Sequence, residues 1–302
     1  GHAHTPPRYP QDMNRPLDGT EADARHYAKV NADSEFTPRR GGVAAPGGPA
    51  PMRVMVATSA DGLRFQRRNL IVTDQASVPD LVVDRNGWIW LYYQSASVGE
   101  DVNRVALAVS RDAGASWTFR RVVIEGFGSP KPDPCDPEIQ LLDDGTFRLF
   151  LTWSERGGRP CSWLAEGRDG VNFRLVGKAF EPPGEALDPS VVRIGRTWHI
   201  FAGGGRGPGE NWHGTSRNGR LFTADAPMQL ATDGTNCMMA NGLTESGGAR
   251  FYAFNNAGPG RPHRIYSFFT RNGTEWAAEP GVRLDADGLP ALEMEGFGVL
   301  DP

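Results

Sequence analysis

The sequence predicts an all-β protein: a five-bladed β-propeller, closed by pairing of its N- and C-terminal segments within the fifth blade. Three observations carry this. Glycine and proline together make up about a fifth of the 302 residues, which favours turns and short strands over long helices. One turn motif recurs five times at steps of about fifty residues. A second series, of acidic residues heading apolar runs, keeps the same period.

The turn series is clearest in "SRDAGASWTF" (Ser110 to Phe119), which fits the Asp-box pattern S-x-D-x-G-x-x-W. Weaker copies are "SADGLRF" from Ser59, "GRDGVNF" from Gly167, "SRNGRLF" from Ser216 and "TRNGTEW" from Thr270. Their turn glycines, Gly62, Gly114, Gly170, Gly219 and Gly273, stand 52, 56, 49 and 54 residues apart. Each copy reads as a hairpin turn: Asp or Asn bonds the local backbone, Gly supplies a positive φ, and the aromatic packs back between sheets. These residues are structural, and they count the blades.

The second series is Asp80, Asp136 and Asp188, at steps of 56 and 52. Each precedes an apolar strand, then a turn ("DRNG", "DDG", "IGR") and an aromatic-rich strand. Continuing the period puts the fourth inner hairpin within residues 236–257 and the fifth inner strand within 292–302. Each unit reads as inner strand, second strand, third strand, Asp-box turn and outer strand, which is a propeller blade. The fifth blade is split: its outer hairpin begins at Arg53 and its inner strand lies at the C-terminus, which removes a free sheet edge. Residues 51–302 form the propeller. Residues 1–50, rich in Pro, Gly and charge, form a largely irregular arm, with a turn or two of helix in "TEADARHYAKV".

Composition excludes several classes. A net charge of −4 and a pI near 5.9 leave no electrostatic footprint for nucleic acid. No apolar run approaches a membrane span. Three cysteines cannot all pair within one chain, and their spacing fits no zinc pattern; free thiols are favoured over a Cys135–Cys161 bridge. No G-x-S-x-G motif suggests a serine nucleophile.

In a propeller, equivalent ends of the inner strands converge on one funnel. Asp80, Asp136, Asp188 and Glu295 (or Glu293) are therefore the candidate catalytic residues. Crowded carboxylates raise at least one pKa, and unequal carboxylates suit cleavage of a glycosidic bond. Glu138 shares a face with Asp136 and is a lesser candidate. Arg104, Trp153, Trp163, His199, Trp212, His213 and Asn241, expected in loops after the inner hairpins, are candidates for stacking on or hydrogen-bonding a sugar. "GGGRGPGENWHG" (Gly203 to Gly214) reads as a rim loop.

On the fivefold period, the "DP" strand heads and the "EGF" at Glu295, residues 51–302 resemble the five-bladed glycoside hydrolases, which include arabinanases, β-xylosidases, arabinofuranosidases and invertase-like enzymes. The resemblance implies a base or nucleophile Asp, an orienting Asp and a general-acid Glu, with Asp80 and Asp136 matching the first two. It departs where the family's Glu is expected, since this chain has Asp188 there. The expectation is a glycoside hydrolase acting on an oligosaccharide or glycoside, needing no cofactor, and secreted or periplasmic. Two alternatives stay open: a non-catalytic carbohydrate-binding propeller, whose acids are structural or hold a channel Ca²⁺, and a sialidase-like hydrolase. Strand heads that differ from blade to blade favour one asymmetric site over repeated binding sites.

Overall fold

The structure, a computed structural model, describes residues 14, 15, 17, 25–41, 52–95, 104–129, 132–204, 207, 209–255 and 263–285. These residues form strands and turns without an α-helix. Four sheets follow one another along the chain. In the first, Ala76–Val83, Ile89–Ser95, Arg104–Ser110 and Ser116–Arg121 pair in chain order. The second runs Cys135–Leu141, Phe147–Trp153, Cys161–Gly167 and Asn172–Phe180, edged by Val123–Glu125. In the third, Leu187–Ile194, Thr197–Gly203 and Glu210–Ser216 are followed by short outer pieces. The fourth is built on Thr235–Glu245, Gly248–Asn255 and Arg264–Thr270. A separate two-stranded hairpin pairs Arg53–Thr58 with Gln66–Asp74.

Alternation along the second strands explains how the sheets stack. In "FRLFLTW", Leu149 and Leu151 point to one face and Phe150 to the other. Accordingly Leu149 and Leu151 join Tyr92, Val105 and Leu107 of the first sheet in one core. Phe150 joins Val191 and Ile200 of the third sheet. Phe201 and Val192 repeat the arrangement against Phe251 and Ala253 of the fourth. All of these side chains are buried, and each contributes about 1.5–3 kcal/mol of hydrophobic free energy. The two-stranded hairpin offers Val54, Leu70 and Val72 to the first sheet, around Leu91, Tyr93 and Ala106.

Four of the five turns pack against a neighbouring sheet. In the Thr270 turn, the Thr270 hydroxyl accepts the Gly273 N–H at 2.9 Å, and Asn272 Oδ1 accepts two further amides. A Cβ on Gly273, which has φ +81°, would meet the His199 ring of the third sheet at 2.3 Å. The corresponding neighbours are Trp90 at Gly170, Arg148 at Gly219 and Arg250 at Gly62. Tyr252 also donates its hydroxyl to the Gly62 carbonyl at 2.6 Å, tying the two-stranded hairpin to the fourth sheet.

Of the segment read as a turn or two of helix, residues 20–24 lie outside the described residues, Arg25 and His26 form a turn, and Lys29–Val30 is a strand. Lys29–Val30 adds a parallel strand to the outer edge of the first sheet, while the Ala28 N–H donates to the Ile71 carbonyl of the two-stranded hairpin and the Ile71 N–H donates to the His26 carbonyl. Local helix preference loses here to the open edge of Ser116–Arg121, which offers unpaired backbone groups. Tyr27 donates to the buried Asp74 carboxylate, which also pairs with Arg53 at 2.9 Å. The predicted fifth inner strand, with Glu293 and Glu295, lies outside the described residues.

Candidate active site

The inner strands of the four sheets pack side by side, and each carries an irregularity at the same level. Opposite two residues of the second strand, the inner strand spends three: Ser77 to Asp80, Cys135 to Glu138 and Leu187 to Ser190. The fourth shifts between Met239 and Asn241. Such bulges turn a side chain out of the ladder. Val78, Asp136 and Asp188 occupy the bulges with φ of 44°, 53° and 51°. A left-handed backbone is tolerated by Asp and strained for β-branched Val.

This register corrects the phase in which Asp80, Asp136 and Asp188 were equivalent. Asp80, Glu138, Ser190 and Asn241 are the matching residues, opposite Tyr92, Phe150, Phe201 and Tyr252. Asp136 and Asp188 match Val78, two residues earlier. The prolines carried the true phase: Pro79, Pro137 and Pro189 align, at steps of 58 and 52. Glu138, rated as a lesser candidate, belongs to the inner level with Asp80.

The two levels differ in chemistry. Asp80 and Glu138 are 5% and 2% exposed. Asp80 Oδ2 accepts the Ile139 N–H at 2.7 Å, while Oδ1 accepts the Leu81 N–H and the Asn241 amide, both at 2.8 Å. Glu138 Oε1 accepts the Val191 N–H at 2.9 Å and the Gln140 amide at 2.6 Å, and its Oε2 is buried without a partner. Each acid thus bonds the backbone of the next sheet, and Asn241 carries the fourth sheet to Asp80 of the first. Burial pushes Asp80 up to about 6. Glu138 is pushed well above the carboxylate range, by burial and by the charge of Asp80. Asp136 and Asp188 are only partly buried, and the Asp188 N–H donates to Asp136 Oδ2 at 3.3 Å.

Asp80, Asp136, Glu138, Asp188 and Asn241, with the three prolines, line one crevice of about 10 Å³, room for about one water. The structure therefore brings Asp80, Asp136, Asp188 and Asn241 together. The other contact candidates lie in strands, not in the expected loops. Trp212 is 3% exposed and donates to the Glu185 carbonyl at 2.7 Å. Trp163 donates to the Trp153 carbonyl at 3.0 Å, and their rings meet edge to face at 4.9 Å. His199 and His213 are buried and bonded to each other at 3.0 Å, with His199 under the Gly273 turn. Arg104 opens the third strand of the first sheet. The three cysteines are unbridged. Among the described residues, no three His, Cys, Asp or Glu are grouped to hold a metal ion.

No protein-family model matches the sequence, and no curated protein matches it. Solved structures do. A thermostable family-43 glycoside hydrolase superposes with a TM-score of 0.55 at 14% identity, over 68% of this chain and 72% of that one. A structure from the GH130 family of mannoside phosphorylases, which contains glycoside hydrolases targeting β-1,2-mannosidic linkages in Candida mannan, gives 0.54 at 15%, over 74% and 77%. An exo-β-1,3-galactanase from Phanerochaete chrysosporium gives 0.53 at 13%, over 76% and 53%. The chain shares the fold of these glycoside hydrolases.

Proposed function

We propose that the chain is a glycoside hydrolase, with Asp136 and Asp188 as the reacting carboxyl pair. One observation carries this reading: two partly exposed acids from adjacent sheets stand at matching bulges, each on a left-handed backbone, over one crevice. Uncommon backbone conformations of this kind cluster at functional sites. One carboxyl of the pair protonates the leaving oxygen, and the other attacks the anomeric carbon or activates water. Asp80, with all its hydrogen bonds committed, and Glu138, held as the neutral acid, set the floor beneath them. Glu295, which lies outside the described residues, is the third acid of the reading. A fifth blade is supported by Gly62, which meets Arg250 and Tyr252 in the same way that Gly170 meets Trp90 and Tyr92. The five turns are then Asp-boxes, and the Arg53 hairpin is the outer half of the closing blade.

Where the similar structures name a substrate it is a mannan or a β-1,3-galactan, so the proposed substrate is a neutral oligosaccharide, and the proton chemistry calls for no cofactor. The carbohydrate-binding alternative fits less well, because the four matching positions read Val78, Asp136, Asp188 and Met239 instead of repeating. The test is a panel of aryl arabinofuranosides, xylosides, galactosides and mannosides. Asp136→Asn and Asp188→Asn should each lower turnover by about 10²–10⁴-fold on the substrate cleaved. Rates unchanged in both variants would reject the pair, and cleavage of no glycoside would favour the binding alternative.

A further inference from the structure

We infer that the cleft between the third and fourth sheets is a second glycan-binding subsite, for a neutral sugar unit, separate from the strand-head crevice. The cleft has a volume of about 310 Å³, within the range of small-ligand sites, and shares no lining residue with the crevice. Its walls include His213, Asp225, Met228, Gln229, Thr274 and Trp276. It lies beside the Thr270 turn, whereas the crevice lies at the heads of the inner strands.

Trp276 supplies the sharpest clue. It closes the fifth copy of the turn motif, as Trp117 closes the second. The Trp117 indole donates to its own Gly114 carbonyl at 3.1 Å and is 2% exposed. The Trp276 ring wedges against Phe201 and Phe251, is only partly buried, and its enclosed Nε1–H has no acceptor among the described residues. The motif thus satisfies one tryptophan internally and leaves the other with a donor to spare in a cleft wall.

The surrounding chemistry selects the ligand. No Lys or Arg lines the cleft, which argues against phosphate or a carboxylated ligand. Asp225 is its single carboxylate, too few for a divalent cation. One Asp225 oxygen accepts the Ala226 N–H at 2.8 Å. Burial lowers His213 to about 4, so that the imidazole is neutral at ordinary pH. A donor indole, a carboxylate, a neutral imidazole, a hydroxyl and an amide beside Met228 and an aromatic ring match the mixed hydroxyls and apolar C–H face of a sugar.

The experiment uses the full chain carrying Asp136→Asn and Asp188→Asn, so that binding is read by calorimetry without turnover. The probes are xylotetraose, arabinotetraose, galactotetraose and mannotetraose. At least one should bind, with Trp276→Phe and Thr274→Ala, added separately, each weakening that binding tenfold or more. Trp276→Phe keeps the packing and Thr274 is exposed, so melting curves like the parent's certify the fold. Binding of none of the four, or equal binding by both variants, would overturn the inference. Because calorimetry needs no hydrolysis, failure of the hydrolase reading in the aryl glycoside panel would leave this result standing.

Discussion

Glu138→Gln tests whether a neutral carboxylic acid is built in among the inner strands. The residue is 2% exposed, and burial together with the Asp80 charge holds its proton far above the usual range. An acid that stays protonated in the fold while ionising in the unfolded chain lowers stability as pH rises. The unfolded chain then binds fewer protons, and the slope is about −1.4 kcal/mol per pH unit for each such group. Asp80 contributes first: it rises from 3.8 to about 6, a gap of about 2 units, so about 3 kcal/mol is lost between pH 4 and pH 6. Glu138 adds its own loss from about pH 4.5 upward and continues after Asp80 has ionised. Gln mimics the neutral acid: its oxygen keeps the Val191 and Gln140 bonds, and its amide takes the place of the unpartnered Oε2. Urea unfolding followed by tryptophan fluorescence at half-unit steps should therefore give parent and variant curves that meet near pH 4. They should diverge toward pH 8, with the variant more stable and Asp80's share of the slope left in both. A variant that is less stable by a constant amount from pH 4 to pH 8 would refute the reasoning, since Glu138 would then carry no folded-state proton of its own.

Two further outcomes follow from contacts between sheets. Gly273→Ala combines a positive φ with a Cβ 2.3 Å from the His199 ring, and should cost about 2–4 kcal/mol. Gly145→Ala, with a similar φ of +83° but open space around it, should cost about 1–2 kcal/mol, so equal losses in thermal unfolding would reject the steric argument. Asp74→Ala strands the Arg53 guanidinium and releases Tyr27, and should cost about 3–5 kcal/mol. It should also speed tryptic cleavage near Arg39 and Arg40; an unchanged cleavage rate would mean the arm is held by its strand pairing alone.

The all-β class and the spacing of the sheets were legible because turn chemistry is local. Asp61, Asp112, Asp169, Asn218 and Asn272 each accept backbone amides a few residues on, whatever the rest of the chain does. The convergence of strand heads was legible for the same reason: an apolar run after each turn fixes where an inner strand begins. The register within those heads was not. A bulge inserts one residue without altering composition, and matching acid to acid placed Asp80 beside Asp136 instead of Glu138. Matching Pro79 to Pro137 would have found it, because proline cannot donate to a ladder and marks the irregular position. The burial of His199, Trp163 and Trp212 was hidden too. A polar aromatic in a strand looks the same in sequence whether it meets a sugar or the next sheet's turn.

His199 stands where the other sheets have Trp90, Arg148 and Arg250, and this makes one junction between sheets respond differently to the solvent. Arg220 of the third sheet's turn grips Glu166 of the second sheet, so dissolved salt weakens that junction to the extent that it is exposed. Between the third and fourth sheets the corresponding place is filled by the uncharged, nearly coplanar rings of His199, Phe201 and His213. Salt has little to screen there, but acid does act. Below about pH 6.5 the unfolded chain accepts a proton that folded His213 declines until about pH 4, so stability is lost as the pH falls through that interval. Mild acid should therefore loosen this junction first, and high ionic strength the one that Arg220 and Glu166 span.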